Sequence, residues 1–528
     1  MIDPLQKIVA VDALLAIVFT ILLTPIFSAL FRRRITWLMR QSSGTEAVIS
    51  TIGDASTAAR RPPPLLFDLT DQPAGRTQPV SPLGQVAKRA RRALMIAYCL
   101  AGIAHLAVLA VAFLISKADI LARAGDFART AMIGIALLVL ALPTVLAIIH
   151  LAAASRLRQL VIVVGTAIVI YVLLGNFQGL ATAVFELHLV VPIAVYFLFN
   201  LRFWRGIAPL VFLIMAAASF GWLIGVTVWT GLELDEDWLL IPRVVGFAAG
   251  AGIGFLLLRR LGRHYQAGGI SDQEIFLDAW YLIFTVIQTV IFVLTSRNAL
   301  FVATLLAFPL YLLVKRISLR LLLPKATQAP PRLLLLRVFG HGRRTERLFD
   351  EFTLPWRAVG SIELIAGSDL ALRNVEPSDF AAFLSGTLAA RYISDTSGID
   401  TGAPPLPETA APDGRYPLRQ FYCLADTWLS VLRSRVKQCD AVVMDLRGFT
   451  EERHGCRDEL AHLATTYPDK PVVLIVDDKT DMALLAQIVG TPVKSPLLAA
   501  GPAWLLLSDR VRGSINGSRV FQCVAERL

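Results

Sequence analysis

Asp440–Leu460 reads DAVVMDLRGFTEERHGCRDEL. An apolar run, Ala441–Met444, ends in Asp445. A polar loop with Arg447, Gly448 and Gly455 follows, and a helical segment opens at Cys456 with Glu459 in its first turn. A short apolar run, a polar loop and an amphipathic segment are the form of strand, loop and helix in a parallel α/β sheet. In such sheets ligands bind where strands end and helices begin, so any reactive or ligand-binding centre is expected here.

The same alternation extends to both sides. Upstream, Arg332–Phe339 (RLLLLRVF) is bounded by Pro331 and Gly340 and reads as a buried strand. A Gly/Arg loop with Gly342, Arg343 and Arg344 follows, then a helix from Thr345 to about Phe352. Ser361–Ala366 is a second strand and Pro377–Leu384 a helix; Ser394–Pro417, rich in Pro, Gly, Asp and Thr, is a loop; Asp426–Val436 is a helix. Downstream come a strand at Pro471–Val476, a helix at Thr480–Ile488, a strand at Trp504–Leu507 and a tail helix. Strands alternating with helices imply a parallel sheet covered on both faces.

Before residue 324 the composition changes. The 528-residue chain is 55% hydrophobic and 17% charged, which indicates an integral membrane protein. Apolar runs near the length of a span occur at about Ile8–Phe31, Leu94–Ile115, Thr130–Ala153, Gln159–Leu174, Leu187–Leu201, Ile207–Gly231, Leu239–Leu258, Ile275–Thr295 and Ala299–Val314. The expected organisation is therefore a polytopic helical domain of about nine spans over 1–323, a Pro-punctuated linker at 324–331 and an α/β domain over 332–528. Within the first part, about 41–87 lies in a Pro-rich stretch without apolar periodicity and reads as a disordered loop. The ionisable residues in the runs are scattered; Arg243 and Asp278 are the candidate internal pair.

The net charge of +11 belongs to the membrane half: 27 Lys+Arg against 16 Asp+Glu in 1–323, and 24 of each in 324–528. Basic residues collect after alternate spans, including Lys315, Arg316 and Arg320 after the ninth. By the positive-inside rule the N-terminus lies outside and the C-terminal domain in the cytoplasm of an inner (plasma) membrane. The basic excess thus reads as topology and lipid contact, with the bilayer as partner and no nucleic acid. Five cysteines without CxxC spacing suggest neither a zinc site nor a disulfide framework.

The C-terminal domain, over about 332–510, resembles TIR domains. The stretches that carry the resemblance are LLLLRVFGHGRRTERLFDEF and VVMDLRGFTEERHGCRDEL, the latter with Gly455-Cys456 before Glu459-Leu460. The likeness implies a flavodoxin-like parallel sheet and activation by self-association. In TIR domains that hydrolyse NAD, the matching Glu is catalytic, which would place that role on Glu459. NAD would then be a substrate, with no resident cofactor. Departures are the long Ala366–Ala441 interval and Asp445-Leu446-Arg447 in place of the usual strand ending.

The residues themselves leave alternatives. Glu459 could stabilise an oxocarbenium-like state at a ribose or interact with its helix macrodipole. Gly342, Arg343 and Arg344 could receive a phosphate or form a solvated loop. Asp445 and Arg447 could contact a ligand or pair with each other. Asp477, Asp478 and Asp481 could hold Mg²⁺ or cap the next helix, with Asp478 the expected cap. No metal ligand set is expected. Three functions follow: a membrane-anchored signalling or defence effector that binds and hydrolyses a nucleotide such as NAD, a channel or transporter with a regulatory α/β domain, or a non-catalytic adaptor.

Overall fold

The computed structural model describes residues 4–41, 66–68, 81–152, 206–231, 240–296, 299–324, 329–337, 343–366, 377–393, 409–423, 427–490, 504–508 and 517–528, with isolated positions between 161 and 204. They divide into two compact units that interleave along the chain. One comprises 1–32, 92–323 and 374–385; the other comprises 33–91, 324–373 and 386–528.

The helical unit is built from α1 (Pro4–Gln41), α2 (Pro82–Ser116), α3 (Ala118–Arg123), α4 (Asp126–Leu140), α5 (Leu142–Leu151), α6 (Ala208–Gly231), α7 (Leu240–Gln266), α8 (Asp272–Ser296), a 3₁₀ segment (Ala299–Leu306) and α9 (Ala307–Leu322). Among the described residues three helices are long and apolar enough to cross a membrane: α1 over Ala16–Leu38, α2, and α7 over Leu240–Tyr265. A fourth is reached if α4 and α5 form one span bent by 42°. Pro143 at the start of α5 lacks the N–H that would continue the helix, which accounts for the break.

Nine spans are therefore not supported. The runs at 159–174 and 187–201 lie outside the described residues apart from isolated positions. Ile275–Thr295 falls within α8, whose first two turns carry Asp272, Glu274 and Asp278. The ninth run divides into the 3₁₀ segment and α9. Apolar composition alone does not ensure one unbroken helix.

Small residues bring α6 and α7 together. A Cβ on Gly221 would strike the Gly246 carbonyl oxygen, and one on Gly246 would strike the Gly221 carbonyl oxygen. Gly225 and Gly250 make equally close approaches to the opposite backbone, and Gly254 a somewhat looser one. Close backbone packing at small residues is how helices associate in lipid, where burial of apolar side chains gives no net drive. The core of this unit is aromatic, with Tyr98, Trp280, Tyr281, Phe284 and Tyr311 all buried.

The α/β unit holds an eight-stranded sheet in which every pairing is parallel. Its strands are β1 (Leu66–Asp68), β2 (Arg332–Arg337), β3 (Ser361–Ala366), β4 (Tyr392–Ile393), β5 (Leu418–Cys423), β6 (Ala441–Asp445), β7 (Val472–Val476) and β8 (Trp504–Ser508). The order is β1-β8-β7-β6-β2-β3-β5-β4. The five strands expected from the sequence take the flavodoxin-like order 2-1-3-4-5 among themselves. The unexpected β5 adds outside β3, and the six long strands then run 3-2-1-4-5-6, the dinucleotide-binding doubly wound order. β1 comes from the stretch expected to be disordered and extends the β8 edge.

Residue alternation in the strands sends two sets of side chains to opposite faces. Leu334, Leu336, Val442, Met444, Leu474 and Leu506 meet α12 (Trp428–Gln438), α13 (His454–Thr466) and α14 (Met482–Val489). Leu333, Leu335, Val443, Ile475 and Leu507 meet α10 (Arg343–Trp356) and α15 (Gly517–Ala525). The remaining helix, α11 (Pro377–Leu384), forms as expected from its spacing but belongs to the helical unit. There Phe380 meets Phe27 edge-on at 5.9 Å and Phe383 meets Phe31 at 5.5 Å. Its apolar positions are filled by membrane-helix aromatics.

Candidate functional site

The strand order reverses between β2 and β6, and the crevice for a ligand lies at their carboxyl ends. Arg337 and Asp445, the last residues of these strands, are register partners. α10 leaves the β2 end toward one face and α13 leaves the β6 end toward the other.

Asp445 ends a strand buried along its whole length and is 2% exposed. A buried carboxylate requires compensation, and Arg447 supplies it in two parallel bonds: Nε donates to Oδ1 at 2.9 Å and Nη2 to Oδ2 at 2.9 Å. The Arg447 backbone N–H also donates to Asp445 Oδ1, at 3.2 Å. A tight turn makes this possible: Phe449 N–H donates to the Leu446 carbonyl at 2.9 Å, with Gly448 at φ 69° in the third position.

The neighbouring strand end is tied in. Asp477 Oδ1 accepts from Gly448 N–H at 2.9 Å, Lys479 N–H at 3.1 Å and the Thr480 hydroxyl at 3.1 Å. Asp481 donates its backbone N–H to the Phe449 carbonyl at 2.8 Å. Its side chain caps α14 by accepting from Ala483 N–H at 3.0 Å and Leu484 N–H at 2.9 Å. The cap is thus Asp481; Asp478, the expected cap, is exposed. These bonds use one oxygen of each carboxylate, Asp477 Oδ1 and Asp481 Oδ1, as structural acceptors and give Asp481 the capping role.

Glu459 differs from expectation. α13 starts at His454, so Glu459 lies in the second turn, away from the helix N-terminus. With Cys456, Leu460 and Leu463 it forms the buried stripe of the helix, spaced i, i+3, i+4, i+7. It is 4% exposed, and its Oε2 has no hydrogen-bond partner among the described residues. Burial, with a smaller contribution from Asp458, pushes its carboxyl up to about 8. It is a carboxylic acid at neutral pH, packed on the face opposite α10. The macrodipole reading does not hold.

Arg343 and Arg344 open α10 instead of lying in a loop, so the N-terminus of that helix faces the same end of the sheet. Gly342 lies outside the described residues. His454 is exposed and Cys456 buried. Burial pushes the Cys423 and Cys439 thiols up to about 12, which leaves them un-ionised and unreactive at neutral pH.

Two functional groups were missed in the sequence. Glu363, in the middle of β3, is buried and its carboxyl is raised by desolvation, opposed by Arg435, Arg419 and Arg332. A lone acid inside SIELIA was the available signal. Lys470 donates to the Val436 carbonyl at 2.6 Å and to the Cys439 carbonyl, closing the C-terminus of α12. No protein-family model, curated protein or solved structure matches the chain.

Proposed function

We propose that the chain is a membrane-anchored signalling protein whose α/β unit binds a nucleotide such as NAD at the β2–β6 switch point. The observation that carries this reading is the 3-2-1-4-5-6 order of the six long strands, with Asp445 and Arg447 on one lip of the crevice and the start of α10 on the other. Exposed backbone N–H groups at a helix start favour phosphate, and Arg343 and Arg344 reinforce that field. The basic loops of the helical unit favour a cytoplasmic α/β unit. The TIR resemblance supports self-association as the activating event. Hydrolysis by Glu459 receives no support from its burial in the α13 core stripe; binding without turnover is the preferred form.

The test uses the full chain in nanodiscs. Titration with NAD, ADP-ribose and ATP, followed by calorimetry, is expected to show saturable binding that Arg343→Glu/Arg344→Glu abolishes. Nicotinamide release is expected to be absent, and unchanged in Glu459→Gln. Lack of binding by all three nucleotides would overturn the reading. Turnover lost in Glu459→Gln would restore the hydrolase.

A further inference from the structure

The outward side of α2 changes character along its length. The helix runs unbroken from Pro82 to Ser116 and contains no Asp or Glu. Its buried alanines, Ala87, Ala90, Ala93, Ala97 and Ala101, mark one side. At about 100° per residue, Lys88, Arg89 and Arg92 fall within an arc of about 100° on the other side, and all three are exposed. Ile96, Leu100 and Ile103 continue that arc and are 50%, 45% and 56% exposed. α2 is one of the candidate spans, so lipid is what covers such a row. The change from apolar to cationic falls between Ile96 and Arg92. Arg92 to Ser116 rises about 36 Å along the helix, enough for a hydrocarbon core of about 30 Å. The cations then lie at headgroup level.

α9 pairs the same two kinds of side chain. Leu310, Leu313, Ile317 and Leu321 are exposed at a spacing of three or four residues, and Arg316 and Arg320 stand beside them, also exposed. Lys315, on the opposite side, is engaged inside the unit. Its Nζ donates to Glu274 Oε1 at 2.7 Å and to Asp278 Oδ1 and Oδ2 at 2.7 and 2.6 Å, both acids being on α8. Asp278 is thus paired with Lys315, and the expected partner Arg243 instead lies 5.6 Å from the Trp222 ring.

Buried contacts set the two helices in register. Thr289 Oγ1 lies 2.7 Å from Thr304 Oγ1, and Lys315 meets Glu274, so the 3₁₀ segment and α9 run antiparallel to α8. His105 Nε2 lies 2.8 Å from Thr285 Oγ1, and the Lys315 ammonium 5.9 Å from the Tyr98 ring, so α2 runs parallel to α8. Tyr98 and Lys315 therefore share a level. Arg92 precedes Tyr98 by six residues and Arg320 follows Lys315 by five, rises of about 9 Å and about 8 Å in the same direction. The cations of two separate helices thus reach one plane, as contact with a single headgroup layer requires.

We propose that Lys88, Arg89 and Arg92 of α2, with Arg316 and Arg320 of α9, form a docking surface for acidic phospholipid. Headgroup phosphates pair with the cations, and acyl chains cover Ile96, Leu100 and Ile103 on α2 and Leu313 and Ile317 on α9. The apolar row that adjoins each cationic end selects lipid over a soluble anion. Only a partner with an anionic head and a hydrocarbon tail satisfies both parts. Neither helix carries an Asp or Glu to receive the cation of a zwitterionic headgroup, so acidic lipid is preferred. A cation at an anionic membrane surface is worth about fivefold in such a preference.

The test is electron paramagnetic resonance of spin-labelled phosphatidylglycerol or phosphatidylcholine, each at trace level, in phosphatidylcholine bilayers holding the purified full chain. The motionally restricted fraction reports lipid at the protein surface. Phosphatidylglycerol is expected to be favoured about fivefold at low salt. The preference should largely disappear at about 1 M salt, where the screening length falls to about 3 Å. Lys88→Gln/Arg89→Gln/Arg92→Gln/Arg316→Gln/Arg320→Gln should bring the ratio close to one, and Arg92→Gln/Arg320→Gln alone should lower it by about half. All these side chains are exposed, so thermal melting should be unchanged. Arg91 has an interaction of its own and is left in place. Arg259→Gln/Arg260→Gln/Arg263→Gln, on exposed positions of α7, should keep most of the preference. A wild type without preference would overturn the proposal. So would full preference in the folded α2–α9 variants, or equal loss in the α7 variant. Displacement of phosphatidylglycerol by millimolar glycerol phosphate would overturn it too, by marking a soluble-anion site.

Discussion

Replacing Glu459 by Met tests the burial argument most directly. The carboxyl moves from an ordinary 4.5 to about 8 in the folded chain. Folding therefore favours the protonated form. The stability this contributes is fully present below pH 4.5 and is lost as pH rises to about 8, because the unfolded chain ionises first. Linkage turns the interval between pH 5.5 and 8 into a loss of about 3 kcal/mol for the wild type. Met has similar length, no charge and no polar atom to leave unpaired. Glu459→Met is thus expected to stabilise the α/β unit by about 4 kcal/mol at pH 8 and by about 1 kcal/mol at pH 5.5. The assay is denaturant unfolding of the full chain in nanodiscs, followed by tryptophan fluorescence at both pH values. Trp428 and Trp504 lie in the same core. Equal stability of variant and wild type at pH 8, or an unchanged pH slope, would mean that Glu459 is solvated or paired in solution. That result would reopen the catalytic role.

Three other outcomes follow from the geometry. Arg447→Ala leaves Asp445 buried without its bidentate partner and should cost about 3–5 kcal/mol in unfolding free energy. Asp445→Ala/Arg447→Ala should recover part of that loss, measured as a double-mutant cycle. Gly246→Leu would force the α6 backbone off α7 and should lower the detergent-unfolding midpoint of the helical unit, whereas Gly252→Leu, which has open space, should not. Asp481→Ala should cost about 1 kcal/mol through loss of the α14 cap, and Asp478→Ala nothing measurable, by thermal melting.

Much of the α/β unit was legible because its strands are continuous apolar runs with both faces covered. RLLLLR, AVVMD, VVLIV and WLLLS are short continuous apolar runs bounded by Pro or polar residues on at least one side. β5 escaped because LRQFYC sits near one edge, where half-exposed polar residues are tolerated and the apolar signal fades. That one omission changed the topology, since β5 converts a 2-1-3-4-5 order into 3-2-1-4-5-6. At the candidate site, Asp445 and Arg447 were found by position, and their pairing was already one of the two readings. Glu459 was singled out by position and given its catalytic role by resemblance; the i, i+3, i+4, i+7 stripe with Cys456, Leu460 and Leu463, which signals burial, was not read from the sequence.

The membrane half shows the harder limit. Lys315 follows an apolar run and precedes Arg316 and Arg320, so by local composition it belongs with interfacial basic residues that set topology. Its partners, Glu274 and Asp278, are 41 and 37 residues earlier. The two acids are one helical turn apart, which places them on one face of α8, but nothing local says that a lysine of a later helix meets that face. A span-by-span search counts each charge against its own run and so reports sparse, unpaired groups. Once α8 is read as a helix, the polar positions 274, 278, 281, 285, 288 and 289 share a single stripe with Trp280, Phe284 and Ile291 along one flank. A seven-residue polar repeat inside an apolar helix is therefore the local signal for such a stripe, and it is visible before any partner is known.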